Sequence, residues 1–231
     1  MKKLTKRKKA NLLKIEDKLY GQEEAIKLLK ETATATFIES VEAHISLNID
    51  PKYSDQQLRS TLILPKGTGK TKRIALLISE EMRSSLNKEI ADVVGSDDLI
   101  EQISQGNTNF DILIATPDMM PKLAKLGRIL GPKGLMPSPK AGTVTNTIES
   151  TIQDFKKGKL EYRADKSGIV HLLFGKINFS ETDLLQNLNA IYNSIEQNKP
   201  TGVKGQYFKT FHICTTMGPS IELNITLLKN T

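Results

Sequence analysis

Residues 64–77 read LPKGTGKTKRIALL, and how the chain leaves this loop decides the fold. A phosphate-binding loop joins a strand to a helix through G-x-x-x-x-G-K-[ST], so that backbone N–H groups turn inward around the phosphates. Gly69, Lys70 and Thr71 match the end of that pattern, but five residues before Gly69 stands Leu64, followed by Pro65. What comes next, RIALLIS at 73–79, is a short apolar, β-rich run and reads as a strand. A phosphate loop needs a helix N-terminus at that point. The stretch is therefore expected to carry the chain from strand to strand, and a P-loop-like nucleotide-binding protein is the disfavoured alternative.

Downstream of the loop, short apolar strands alternate with helices. RIALLIS is followed by a helix over EEMRSSLNKE, a strand at ADVVG and a helix over SDDLIEQISQ with Ser96 as N-cap. FDILIATPD then reads as a strand, MMPKLAKLGRIL as a helix, and a last helix is expected from about Asn146 to Phe155. This rhythm implies parallel βαβ units, hence a layered α/β domain.

Upstream, GQEEAIKLLKETATATF has helical apolar spacing to about Thr34, with Glu early, where the helix dipole favours it. In VEAHISLNID, Val41, Ala43, Ile45, Leu47 and Ile49 alternate with polar residues, the pattern of a half-buried strand with one wet face. TLILP makes a second strand. In the last third, KLEYRADKSGIVHLLFG reads as two strands joined by a turn. FSETDLLQNLNAIYNSIEQN is a helix with Ser180 and Asp183 spaced as a capping box, and Leu184, Leu188, Ile191 and Ile195 on one face. FKTFHICTTMGPSIELNITLL is expected to be a hairpin in which Ile221, Leu223, Ile225 and Leu227 alternate with polar residues. Both chain ends thus lack the middle's rhythm. The economical architecture is a split α+β sandwich domain, residues 1–66 plus 159–231, with an inserted α/β domain at 67–158. Its two crossings would carry the hinge at Gly67, Gly69, Lys157 and Gly158.

The 231 residues include 33 Lys+Arg against 26 Asp+Glu, a net charge of +7 that favours a polyanionic partner. No apolar run approaches the roughly 20 residues that span a bilayer, and no broadly apolar basic helix suits a membrane surface, so a soluble protein without a membrane partner is expected. The basic start, Lys2 to Lys9, has neither the apolar stretch of a signal peptide nor a transit-peptide composition, and reads as a solvated arm adding phosphate affinity. One cysteine, Cys214, excludes an intramolecular disulfide and a Cys-based metal cluster. His44, His171 and His212 lie far apart in sequence without ligand neighbours at helical or loop spacing, so no metal or cofactor is expected, although convergence in space stays open.

TTMGPS, at Thr215 to Ser220, combines hydroxyls, a methionine and a Gly-Pro turn. This is either a plain hairpin tip or a surface on which a ribose and its backbone can lie closely. Together with LGRILGPKGLMPSPKAGTVT at 126–145, LPKGTGKTKRI, SDQQLR and EYRADKSGIVH, it resembles the signature blocks of the ribosomal protein L-one family, in family order over nearly the whole chain. The resemblance is to the bacterial and plastid type. It implies the same split architecture with a Rossmann-like α/β/α inserted domain, no enzymatic activity, and a terminal domain that binds large-subunit rRNA on the stalk beside the exit site, where deacylated tRNA leaves. For bacterial members it also implies repression of the protein's own mRNA. Lys-rich composition without a transit peptide favours a plastid-encoded copy in the stroma, with a bacterial cytoplasm as the alternative.

By position, the resemblance assigns RNA contacts to Phe37 and to Thr216, Met217 and Gly218, then to Asp165, Lys166 and Thr210, with Arg163 and Lys209 as phosphate contacts. Asp165 could instead only shape its turn, and Phe37 could be core. Thr36 and Ile38 replace the family's usual Lys and Asp or Asn, which removes a charge contact there. GPKGLMPSPKAG, with Lys133 and Lys140, is expected chiefly to cover the inserted domain's sheet. Thr216→Val is expected to weaken RNA binding with little effect on folding.

Overall fold

The structure, a computed structural model, describes residues 5–83 and 91–228. The chain first forms α1 (Lys6–Leu12), α2 (Gln22–Thr32), β1 (Ser40–Leu47) and β2 (Arg59–Ile63). Next come β3 (Ile74–Leu77), α3 (Glu80–Arg83), β4 (Val93–Gly95), α4 (Asp97–Ser104), β5 (Ile112–Ala115), α5 (Met120–Ala124), α6 (Gly127–Leu130) and α7 (Ile148–Lys157). It closes with β6 (Lys159–Arg163), β7 (Ile169–Lys176), α8 (Glu181–Gln197), β8 (Phe208–Thr215), β9 (Ser220–Glu222) and α9 (Ile225–Leu228). Two compact units result, Met1–Gly69 with Leu160–Thr231, and Lys70–Lys159. None of the described helices is long and apolar enough to cross a membrane.

In the unit built from both chain ends, four antiparallel strands lie in the order β7-β1-β8-β9. Strand alternation sends Val41, Ala43, Ile45 and Leu47 to one face, where all four are buried. Leu184, Leu188, Ile191 and Ile195 of α8, with Ala25, Ile26 and Leu29 of α2, complete that core. The α8 start is capped as the sequence implies, since Ser180 Oγ accepts the Asp183 amide at 3.0 Å. The other sheet face carries Glu42, His44 and Ser46, which are only partly buried.

Several expectations are corrected. The strands over residues 159–175 do not form a simple hairpin: β6 pairs with β2, and the two arms meet just beside the turn, through an Ala164–Val170 bridge and the Asp165–Ile169 hydrogen bonds. That detour lets Tyr162 enter the core and hydrogen-bond the Ser194 carbonyl of α8 at 3.1 Å. The C-terminal alternation is not all strand. The Asn224 side chain accepts the Thr226 amide at 3.0 Å and starts α9, which leaves Leu227 half exposed.

In the inserted unit, β4, β3 and β5 form a parallel sheet in that order. Ala75, Leu77, Leu113 and Ala115 belong to one apolar cluster, and Ile74, Leu76 and Ile114 to a second, so alternate residues of one sheet feed two layers. Leu135 and Met136 of the Gly/Pro stretch pack on the first cluster, and Lys133 donates to Thr108 Oγ1 at 2.6 Å. The helix expected over 119–130 is divided into α5 and α6, with Gly127 opening the second. Ser96 stands at the N-cap of α4 without a side-chain capping bond. The Asp98 carboxylate accepts the Ser96 and Leu99 amides instead, at 2.6 and 2.9 Å. Of the helix expected over 80–89, residues 84–89 lie outside the described segments.

The loop at 64–73 leads into strand β3 and contains no helix. Leu64, at the first-glycine position of a phosphate loop, is a buried core residue. Asn187 of α8 holds the loop in place: it accepts the Lys66 amide at 3.0 Å and donates to the Gly67 carbonyl at 3.0 Å. Gly69 has φ +71°, and a Cβ there would stand 2.9 Å from the Phe179 ring. At the second crossing Lys157 is the last residue of α7, so Gly158 alone separates that helix from β6.

Candidate nucleic-acid interface

The turn after β8 is tied to the segment before β1. The Thr216 amide donates to the Ser40 carbonyl at 3.1 Å, and Thr216 Oγ1 accepts the Ser40 amide at 3.1 Å. Beneath them lies Glu39, 1% exposed, whose Oε2 accepts the Met217 amide at 2.9 Å and whose Oε1 accepts the Ala35 amide at 3.0 Å. Burial pushes the Glu39 carboxyl up. The Met217 amide, the nearby Thr215 hydroxyl and the Ala35 amide outweigh that and hold it below the ordinary carboxylate range. Gly218 closes the tip tightly: a Cβ there would stand 2.3 Å from Thr215 Oγ1.

This pinned tip presents three large apolar side chains to solvent, Phe37 at 52%, Ile38 at 58% and Met217 at 52% exposure. Phe37 is thus a surface residue. Ile38 beside it adds a second exposed apolar side chain.

The other assigned residues stand elsewhere. Ser46 of β1 pairs with Ile169 of β7 and with Thr210 of β8, whereas Val41 pairs with Thr215. Thr210, Lys209 and the 164–168 turn therefore lie at one end of the sheet, and Phe37 and Thr216–Gly218 at the other. About five strand residues, roughly 17 Å, separate them. Asp165 shapes its turn, since its Oδ1 accepts the Ser167 and Ile169 amides, each at 2.8 Å. Those amides, Ile169 foremost, hold its carboxyl below its usual value. Lys166 is exposed on this turn, Arg163 is exposed on β6, and Lys209 is exposed on β8.

Sequence reasoning missed two features. Glu39 continues the inward parity of Val41, Ala43 and Ile45, so counting back by two already marks it as a carboxylate on the buried face. The three histidines, far apart in the chain, meet with Cys214 on the open sheet face, where Glu42/His44 and His212/Cys214 are each spaced by two. That is strand spacing, which places such residues on one sheet face and differs from the helical and loop spacings of ligand motifs.

The family model described as "Ribosomal protein L1p/L10e family" matches residues 29–219. The chain is 61% identical over 228 residues to "Large ribosomal subunit protein uL1c" of Trieres chinensis, covering 98% of this chain and 99% of that protein. It is 60% identical over 225 residues to the uL1c protein of Guillardia theta, covering 97% and 96%. With "Large ribosomal subunit protein uL1" of Prochlorococcus marinus (strain AS9601) it shares 56% over 230 residues, covering 100% and 98%.

Proposed function

The chain belongs to the ribosomal protein L1p/L10e family, as a structural constituent of the large ribosomal subunit and not an enzyme, and from that premise we propose that its terminal unit binds large-subunit rRNA. The observation that carries this reading is the apolar trio Phe37, Ile38 and Met217, exposed on a tip whose backbone a buried carboxylate fixes. Unstacked bases are commonly bound on such side chains, and Thr216 and Gly218 stand at the same tip for contacts to sugar and backbone. Lys209, Lys166 and Arg163 supply phosphate contacts at the far end of the sheet, and the net +7 supplies counterion release. Asp165 serves by shaping the turn that presents Lys166.

On the same reading, the RNA is the stalk beside the exit site, and the protein aids departure of deacylated tRNA and represses its own mRNA. The inserted unit's movement is absorbed at Gly69 and Gly158. The algal relatives carry the plastid-type name uL1c, which favours a plastid ribosome, and the cyanobacterial relatives fit the bacterial alternative. The test is filter binding of the purified chain to the stalk segment of large-subunit rRNA and to a scrambled RNA across a salt series. Binding to the stalk segment should survive salt that abolishes binding to the scrambled one. Phe37→Ala should cost about 1–3 kcal/mol of that affinity. Equal, steeply salt-dependent binding to both RNAs rejects the reading.

A further inference from the structure

All three histidines and the only cysteine of the chain lie on the open face of the four-stranded sheet. The register sets His171, His44, His212 and Glu222 in one row across β7, β1, β8 and β9, and Glu42 opposite Cys214 in the next. His44 Nε2 is 3.3 Å from Cys214 Sγ and 3.8 Å from Glu42 Oε2, and the three ligand atoms all lie within 4.8 Å of one another. The other ring nitrogen of His44 is already engaged, with Nδ1 2.8 Å from His171 Nδ1. His171 Nε2 in turn lies 3.7 Å from Asp165 Oδ2.

Bond lengths of roughly 2.3 Å to sulfur and 2.0–2.1 Å to nitrogen or oxygen put neighbouring donors of a tetrahedral zinc site about 3.4–3.6 Å apart. The distances around His44 Nε2 lie within a few tenths of an ångström of that spacing, so little rearrangement is needed to place a cation among the three atoms. We propose that Glu42, His44 and Cys214 bind one divalent cation of the zinc class, with the fourth tetrahedral position open to water. A thiolate, an imidazole and a carboxylate together favour such a metal over magnesium or calcium, which prefer oxygen alone. Thiolate and carboxylate also bring two negative charges to the cation's two positive ones.

Binding breaks the Cys214 S–H bond and forms S–metal, and the proton passes to solvent. The His44 imidazole must meet the metal neutral, with its Nε2 lone pair free. His171 is a positioning residue: as the acceptor of His44 Nδ1–H it leaves Nε2 as the metal-facing atom, and Asp165 steadies its far side. His212 flanks the site in the same row without joining the ligand set. The site is independent of the rRNA reading, because it can be loaded and read without RNA.

The test titrates the full-length, chelator-stripped protein with Co2+ and then with Zn2+. One equivalent of Co2+ should give the visible bands of tetrahedral cobalt and a near-ultraviolet thiolate-to-cobalt charge-transfer band, both removed by Zn2+. Cys214→Ser should abolish the charge-transfer band, and His44→Asn and Glu42→Gln should each weaken binding at least tenfold. His171→Gln should weaken it about tenfold through lost orientation. Circular dichroism verifies that each variant is folded. A wild-type protein without the charge-transfer band at one equivalent overturns the proposal whatever the variants do, and so does binding that a folded His44→Asn leaves unchanged.

Discussion

Glu39 puts a carboxylate where strand alternation would put an apolar side chain, and two amides of separate segments converge on it. Replacing it by Gln keeps the shape but turns an N–H2 toward amide donors, so Glu39→Gln should destabilise the terminal unit by about 1–3 kcal/mol. Its folded pKa lies below the unfolded value of roughly 4.3, so its stabilisation is present above that pH and is lost as pH falls through the folded pKa. The protection of the Ala35 and Met217 amides, taken relative to their intrinsic exchange rates, should fall in that acid window in the wild type and lose this pH dependence in the Gln variant. Thr216 corrects an expectation drawn from sequence. Its hydroxyl accepts the Ser40 amide, so Thr216→Val should cost roughly 0.5–1.5 kcal/mol of stability as well as RNA affinity, and Thr216→Ser should restore both. Urea unfolding beside filter binding separates the two effects. The bond was illegible in the sequence because its partners are 176 residues apart.

At the scale of elements, the local patterns proved the readable ones. The alternation from Val41 to Leu47 and the capping box of α8 each depend on residues within a few positions, and both are present in the fold. Leu188 lies at the centre of the α8 apolar face, and Leu188→Ala should cost about 2–5 kcal/mol by urea denaturation, with the unfolding slope unchanged. What escaped was pairing. Nothing local to KLEYR says that it leaves its own hairpin for β2, and Ile225 and Leu227 keep a strand's period over a stretch too short to exclude the helical turn that Asn224 starts. The histidine row was hidden for the same reason, since His44 and His171 meet across 127 residues and only the register reveals it.

At the scale of the whole molecule, the inserted unit is one uninterrupted stretch, Lys70–Lys159, with its own parallel sheet and two apolar layers. A fragment of residues 70–159 should therefore unfold cooperatively by itself, as followed by circular dichroism during heating. A non-cooperative, structureless fragment would show that it leans on the rest of the chain. Gly69→Ala should strain the terminal unit by about 1–3 kcal/mol through its φ and the Phe179 ring, and leave that fragment untouched. The terminal unit has the opposite character. Its central strand β1 is flanked by β7 and β8, which begin at Ile169 and Phe208. Chains are synthesised from the N-terminus, and domains fold as they emerge. During its own translation β1 thus waits beside no neighbour while the inserted unit is finished, and Ser40 finds Thr216 only near the end. A product released before Thr216 lacks the tip, and with it the bonds to Ser40 that tie the end of β8 to the start of β1.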